Sequence, residues 1–252
     1  RQEKLGYDIT FINTCFENRK MSYYEHCRYR NFEGVVIVCA NFDDPDVTEL
    51  MNSEIPVVTI DYVHHNCTAV TSNNIQGMED LVKYIYSQGH RKIAYIHGQE
   101  GSSVTRDRLA SFYRTIDELG LEIPDTYVRS ADYLETKGSA KQTKELLNLE
   151  DPPTCIIYPD DTSLIGGRNV IIEMGLRIPR DISVAGYDGT MISQLLYPKL
   201  TTIRQNTEMI GSEAATRLIG TIEKPRTTLV ERVVIEGSLV PGQSVGAIQP
   251  KG

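Results

Sequence analysis

The chain has 252 residues, with 40% hydrophobic and 24% charged side chains, the balance of a globular protein. That length suits two lobes of about 100 to 150 residues each. No apolar run approaches the roughly 18 residues that span a bilayer, and the N-terminus does not read as a signal peptide, so no membrane-spanning helix and a cytoplasmic protein are expected. A formal net charge of -8 argues against a polypeptide that by itself grips a phosphate backbone. Cys15, Cys27, Cys39, Cys67 and Cys155 are scattered, odd in number and mostly inside apolar runs. They read as buried free thiols of a reduced cytoplasm rather than as a disulfide framework.

In chain order, short apolar strands alternate with amphipathic helices. The runs 8–13, 34–39 and 56–60 are continuous and rich in β-branched residues, as strands buried on both faces are. From Ile75 to Ile85 the apolar residues follow helical spacing, and Gly89 supplies the stop. A strand at 93–96 precedes a helix with Leu109, Phe112, Tyr113, Ile116 and Leu119 on one face. A strand near Tyr127, a helix over 140–147, a strand at 154–158, a helix over 164–174 and a strand at 182–187 follow. The last helix covers about 207–222, with Ile210, Ala214 and Leu218 at four-residue steps. The tail from Pro241 to Gly252 reads as poorly ordered. Such alternation predicts α/β architecture, with more units than one modest parallel sheet holds, hence two doubly wound lobes.

Catalytic machinery is hard to find. The loop His97–Ser103 lacks the Gly-Lys-Ser/Thr of a phosphate loop and the three-glycine dinucleotide fingerprint. His64 and His65 have no second ligand pair at zinc spacing, which favours an exposed loop and no metal. Asp43, Asp44, Asp46 and Glu49 surround Pro45, as acids at a helix start do. No nucleophile elbow is present, and Cys155 has no arranged histidine, so neither an enzyme nor a cofactor is expected. Polar residues at strand ends say more. Asp61 follows strand 56–60, Asp160 and Asp161 follow 154–158, Asp188 follows 182–187, and Arg108 opens the helix after 93–96. Ligands of open parallel sheets sit outside the carboxyl ends of strands. Carboxylates accept from hydroxyls and arginine donates from a planar fork, so the set suits a polyol; each acid alone could equally be a helix cap.

The run from Gly89 to Gly98, followed by Ser103–Arg108 and Gly120-Leu121, resembles the central signature of LacI-type (lactose-repressor) transcriptional regulators. So do Gly175–Asp188 and Pro198–Gln205, and Asn73–Gly77 resembles the segment that opens the helix before the Gly-His pair. The likeness spans about Leu5 to Val240 with its motifs in order. It implies a periplasmic-binding-protein-like fold of type I. The implied N-terminal lobe is 1–97 plus 204–228 and the C-terminal lobe 98–203 plus 229–252, with the helix-turn-helix headpiece and first strand absent from this chain. It further implies an effector held by Arg108 and Asp188, with Asp160 where an asparagine is usual, Gln205 at a crossing, and Asp61 and Tyr133 on the cleft wall. A small polar effector, a mono- or disaccharide, operator DNA read through the missing headpiece, and a homodimer complete the expectation. The extra carboxylate of Pro159-Asp160-Asp161 disfavours anionic effectors. The rival reading is an extracytoplasmic sugar-binding protein of a transport system, which shares the fold.

Overall fold

In the computed structural model of the chain, residues 6–12, 15–16 and 19–248 are described. They form two compact units. One comprises the chain up to Ser72 together with Asn206–Ile235; the other comprises Asn73–Gln205 and the chain from Glu236 onward.

In the first unit, a two-residue antiparallel pair, β1 (Cys15–Phe16) and β2 (Arg19–Lys20), precedes α1 (Tyr23–Arg30). Ser22 and Glu25 form a capping box that satisfies the first amides of α1. Strand β3 (Val35–Ile37), helix α2 (Pro45–Met51), and strands β4 (Val57–Ile60) and β5 (Thr68–Ser72) follow. Asp44 caps α2 by accepting from the Asp46 amide at 2.9 Å, so the acidic run around Pro45 is the helix start that its composition suggested.

The second unit opens with α3 (Asn74–Ser87), β6 (Ile93–His97) and α4 (Ser103–Glu118). A 3₁₀ turn at Asp125–Tyr127 leads into β7 (Val128–Ser130), then α5 (Thr136–Leu147), β8 (Cys155–Ile157) and α6 (Asp161–Glu173). Strand β9 (Ser183–Asp188), the short α7 (Met191–Leu195) and β10 (Thr201–Arg204) complete the run before the chain returns. Helix α8 (Thr207–Glu223) and β11 (Arg232–Ile235) belong to the first unit, and β12 (Ser238–Val240) to the second. The first sheet has the order β11-β5-β4-β3, all parallel; the second has β12-β10-β9-β8-β6-β7, parallel except for β12.

Every residue of β6 and β8 is buried, because helices cover both faces of the second sheet. Ile93 and Tyr95 join Met78, Leu81, Phe112 and Tyr187 on one face, while Ala94 and Ile96 join Ile156, Leu164 and Val184 on the other. This two-residue alternation between two cores is the physical source of the unbroken apolar runs. Cys27, Cys67 and Cys155 are buried free thiols, whereas Cys39 is exposed. Among the described residues no helix is long and apolar enough to cross a membrane.

Four expectations are corrected. Residues 8–12 are not a strand: among the described residues they pair with none, and Ile9 and Phe11 stand 62% and 94% exposed; Asn13 lies outside the described residues. Residues 73–97 belong to the second unit, since β6 pairs with β7 and β8 and α3 packs on α4. Strand β11 lies in the first unit because it pairs with β5. Of the tail, residues 241–248 are packed into the second unit, and 249–252 lie outside the described residues. Ser244 donates to the Val184 carbonyl at 2.6 Å, Val245 enters the core, and the Ile248 amide donates to the Gln88 carbonyl at 2.7 Å.

Close packing yields a first prediction. A Cβ on Gly77 of α3 would lie 2.2 Å from the Tyr187 hydroxyl, whereas one on exposed Gly211 of α8 meets nothing within 4 Å. Gly77→Ala is expected to cost on the order of 1–3 kcal/mol by overpacking. Gly211→Ala is expected to gain about 0.5–1 kcal/mol through helix propensity. Denaturant titration of both variants checks the pair.

A second prediction concerns His90, whose Nε2 lies 3.0 Å from the Gly246 carbonyl and whose Nδ1 lies 2.9 Å from Thr154 Oγ1. A carbonyl only accepts, so Nε2 carries a proton and donates to Gly246, while Thr154 Oγ1 lies within reach of both Nδ1 and the Lys92 carbonyl, at 2.9 and 3.2 Å. Burial pushes the imidazole below its ordinary value of 6.5, helped by the neighbouring Arg91 charge. With a depressed native value, the unfolded chain binds the proton first. This stability is present above pH 6.5 and is lost as pH falls through the native value. Thermal melts of wild type and His90→Gln across pH 5 to 8 should show the wild-type advantage shrinking toward the acid end.

Candidate functional site

The strand order of the second sheet reverses beside β6: β7 lies on one side, and β8, β9 and β10 follow on the other. Loops leaving the carboxyl ends of β6 and β8 therefore diverge and leave a crevice, the usual ligand position in such sheets. Arg108 stands in the second turn of α4, the helix that follows β6. Its side chain is 3% exposed, and a buried guanidinium must be paired and hydrogen-bonded to be tolerated. Nε donates to Asn74 Oδ1 at 2.8 Å and Nη1 to the Pro159 carbonyl at 2.9 Å. Nη2 lies 3.8 Å from Asp188 Oδ1, and Cζ sits 3.5 Å over the centroid of the Tyr187 ring. The contacts thus come from the start of α3, the loop after β8 and the end of β9.

Asp188, the last residue of β9, has φ 94°, a region that costs a residue with a Cβ on the order of 1–3 kcal/mol. Its side chain is 26% exposed. Gln205 reaches it twice: Nε2 donates to Oδ1 at 2.5 Å, and the backbone amide donates to the Asp188 carbonyl at 3.1 Å. Gly189 follows at φ 64°, where a Cβ would lie 2.4 Å from Arg204 Cα, so only glycine lets this turn lie against β10. Tyr133 closes the other side. Its hydroxyl lies 2.9 Å from Thr105 Oγ1, and its ring occupies the space a Cβ on Gly98 would need, at 2.1 Å. The Arg108 Cζ is 5.9 Å from the Tyr133 ring centroid.

The six residues singled out from sequence separate into groups. Arg108, Asp188, Gln205 and Tyr133 converge. Asp160 is 1% exposed and already engaged: Oδ1 accepts from the Ser163 amide at 2.8 Å, and Oδ2 from the Ser163 hydroxyl at 2.7 Å and the Leu134 amide at 2.9 Å. It caps α6 and pins the loop carrying Tyr133, which is the cap reading of that acid. Asp61 belongs to the first unit. It ends β4 at φ 58°, accepts from the Ser72 amide at 2.8 Å and donates its own amide to the Val70 carbonyl at 3.0 Å.

Asn74 and Tyr187 are the participants that sequence reading passed over. Asn73 is the cap of α3, its side chain accepting from the Gln76 amide at 3.1 Å, which leaves the second asparagine of the pair to serve Arg108. The doubled asparagine was the available signal.

A cavity of about 380 Å³ lies elsewhere, in the first unit, beside Val57 and Thr68 at the amino ends of β4 and β5. The hydroxyls that line it are spent on backbone, Thr68 on the Leu229 carbonyl at 3.4 Å and Thr228 on that of Gly220 at 2.9 Å. Convergent charge, the requirement for orienting a polar ligand, is found at Arg108 and Asp188 instead.

The periplasmic binding protein-like domain family matches residues 82–245. The HTH-type transcriptional repressor PurR of Aliivibrio salmonicida (strain LFI1238) is 27% identical over 87% of this chain and 67% of its own length. A LacI putative transcriptional regulator of Bacillus cereus subsp. cytotoxis NVH 391-98 superposes with TM-score 0.88 at 24% identity, over 98% of this chain and 89% of that one. A transcriptional regulator CelR–cellobiose complex superposes with TM-score 0.78 at 25% identity, over 88% and 71% of the two chains. The chain belongs to the periplasmic binding protein-like domain family, and the relatives and solved structures that it resembles carry the names of transcriptional regulators, LacI among them.

Proposed function

We propose that the chain senses a small polyhydroxylated effector, a mono- or disaccharide, on behalf of a DNA-binding regulator. The observation that carries this reading is the partly exposed carboxylate of Asp188, held beside the buried guanidinium of Arg108 at the sheet's switch point. A carboxylate accepts from two hydroxyls at once, and the guanidinium keeps N–H donors for a hydroxyl oxygen beyond those given to Asn74 and Pro159. Gln205 is a further amide contact, and Tyr133 offers a ring face to the apolar side of a sugar.

The effector acts by differential affinity: it shifts the equilibrium between arrangements of the two units toward the one it binds better. In the full regulator that shift alters operator affinity through a headpiece outside this chain. The coupling is reciprocal, with operator changing effector affinity by the same factor. The regulator works as a homodimer in the cytoplasm, as reading a two-fold operator requires, and needs neither cofactor nor catalysis. The relatives' naming as transcriptional repressors supports this over the transport reading.

Calorimetric titration against monosaccharides, disaccharides, nucleosides and amino acids tests the proposal. Asp188→Asn is expected to weaken the bound sugar by about tenfold to a hundredfold, the loss of one or two hydrogen bonds to a charged group, and to lower the melting temperature, because the buried Arg108 guanidinium loses its charged partner. Arg108→Lys, which keeps the charge but not the fork, is expected to weaken it similarly. Unchanged dissociation constants in both variants would sink the site, and binding confined to nucleosides or amino acids would sink the sugar.

A further inference from the structure

The strained turn that presents Asp188 is secured from a buried residue on a different helix. Asp188 and Gly189 are both at positive φ, and a residue with a Cβ holds such a conformation only where its surroundings over-determine it. The Gly189 amide donates to Thr202 Oγ1 at 3.2 Å, and that hydroxyl donates onward to Asp161 Oδ1 at 2.8 Å. Thr190 donates to Asp161 Oδ2 twice, from its amide at 2.7 Å and from its hydroxyl at 3.0 Å. Asp161 itself is fully buried at the first position of α6. A Cβ on Gly186 would come within 2.3 Å of Oδ1, so glycine on β9 is what admits the carboxylate.

We propose that Asp161 is a positioning residue for ligand recognition: through Thr190 and Thr202 it fixes the 188–190 turn and so aims the Asp188 carboxylate beside Arg108 and Gln205. The assignment rests on reading Asp188 as the ligand acceptor. Burial pushes the Asp161 carboxyl up to about 6, so at neutral pH it is ionised and every donor in the turn faces an acceptor. Asp161 touches no ligand in this scheme. It acts as its neighbour Asp160 does on Leu134, and the two successive acids each hold a different loop of the crevice.

Amide hydrogen exchange measured by NMR at neutral pH tests this without any ligand. Asp161→Asn keeps the shape and one acceptor but sets an amide group against Thr190, while Thr202→Val removes the relay and leaves the carboxylate. Each is expected to lower protection at Gly189 and Thr190 by about tenfold or more, with Tyr95 and Ile156 in the same sheet unchanged. The double variant is expected to lose less than the sum at Gly189, because both changes cut one chain of hydrogen bonds. Unchanged protection at both amides overturns the proposal, as does a uniform loss across the sheet, which is the mark of a merely stabilising role. Titration of Asp161→Asn with whichever sugar of the panel binds wild type should give about tenfold weaker affinity. A local exchange change with no sugar bound would refute the sugar reading alone. Sugar binding that needs Asp188 but ignores Asp161 would refute the positioning role alone.

Discussion

Placing the charge of Arg108 inside the second unit is the constraint on which the surrounding structure depends. Removing a guanidinium from water costs several kcal/mol unless its donors are met, and deleting one partner of such a group leaves an uncompensated charge. Here the partners are drawn from three places far apart in sequence: Asn74, the Pro159 carbonyl, and Asp188 with the Tyr187 ring before it. Satisfying one side chain therefore clamps the start of α3, the β8–α6 loop and the end of β9 onto α4. The crevice is rigid because its central cation is expensive to leave unpaired.

Strain at the rim follows from the same requirement. To face the cation, Asp188 leaves the strand at φ 94°, and Gly189 must lie tight against Arg204. Glycine solves the steric part, at Gly189 for the turn, at Gly186 for the approach of Asp161 and at Gly98 for the Tyr133 ring. Hydrogen bonds to buried carboxylates supply the rest, Asp160 for the loop at Leu134 and Asp161 for the turn at Thr190. Polar groups sunk this deep are tolerated because each is satisfied, and a satisfied network in a low dielectric rigidifies what it touches.

Much of this was legible beforehand. The alternation of buried strands and amphipathic helices specifies parallel sheets, since a strand covered on both faces must be apolar throughout. The Gly89–Gly98 and Gly175–Asp188 runs placed Arg108 and Asp188 at strand ends, where they meet. Asp160 shows the limit. A carboxylate before a helix is chemically suited both to a ligand and to a cap, and only the positions of the Ser163 and Leu134 donors decide between them. The tail misled for the opposite reason. Its low hydrophobicity hides the fact that Ser244 and Gly246 take part in backbone and histidine hydrogen bonds that composition does not register.

The sequence by itself determined the fold class, the family and which side chains carry charge to the carboxyl edge of the second sheet. These depend on periodicity and local spacing, which are properties of neighbouring residues. Tertiary structure alone decided how the chain divides, that residues 8–12 go unpaired among the described residues, and which acids support the crevice rather than face it. Those outcomes depend on pairings across long separations, such as β6 with β8, Asn74 with Arg108 and Asp161 with Thr202. A carboxylate's role is set by the donors that fold against it, and Leu134, Thr190 and Thr202 lie dozens of residues from the acids they serve.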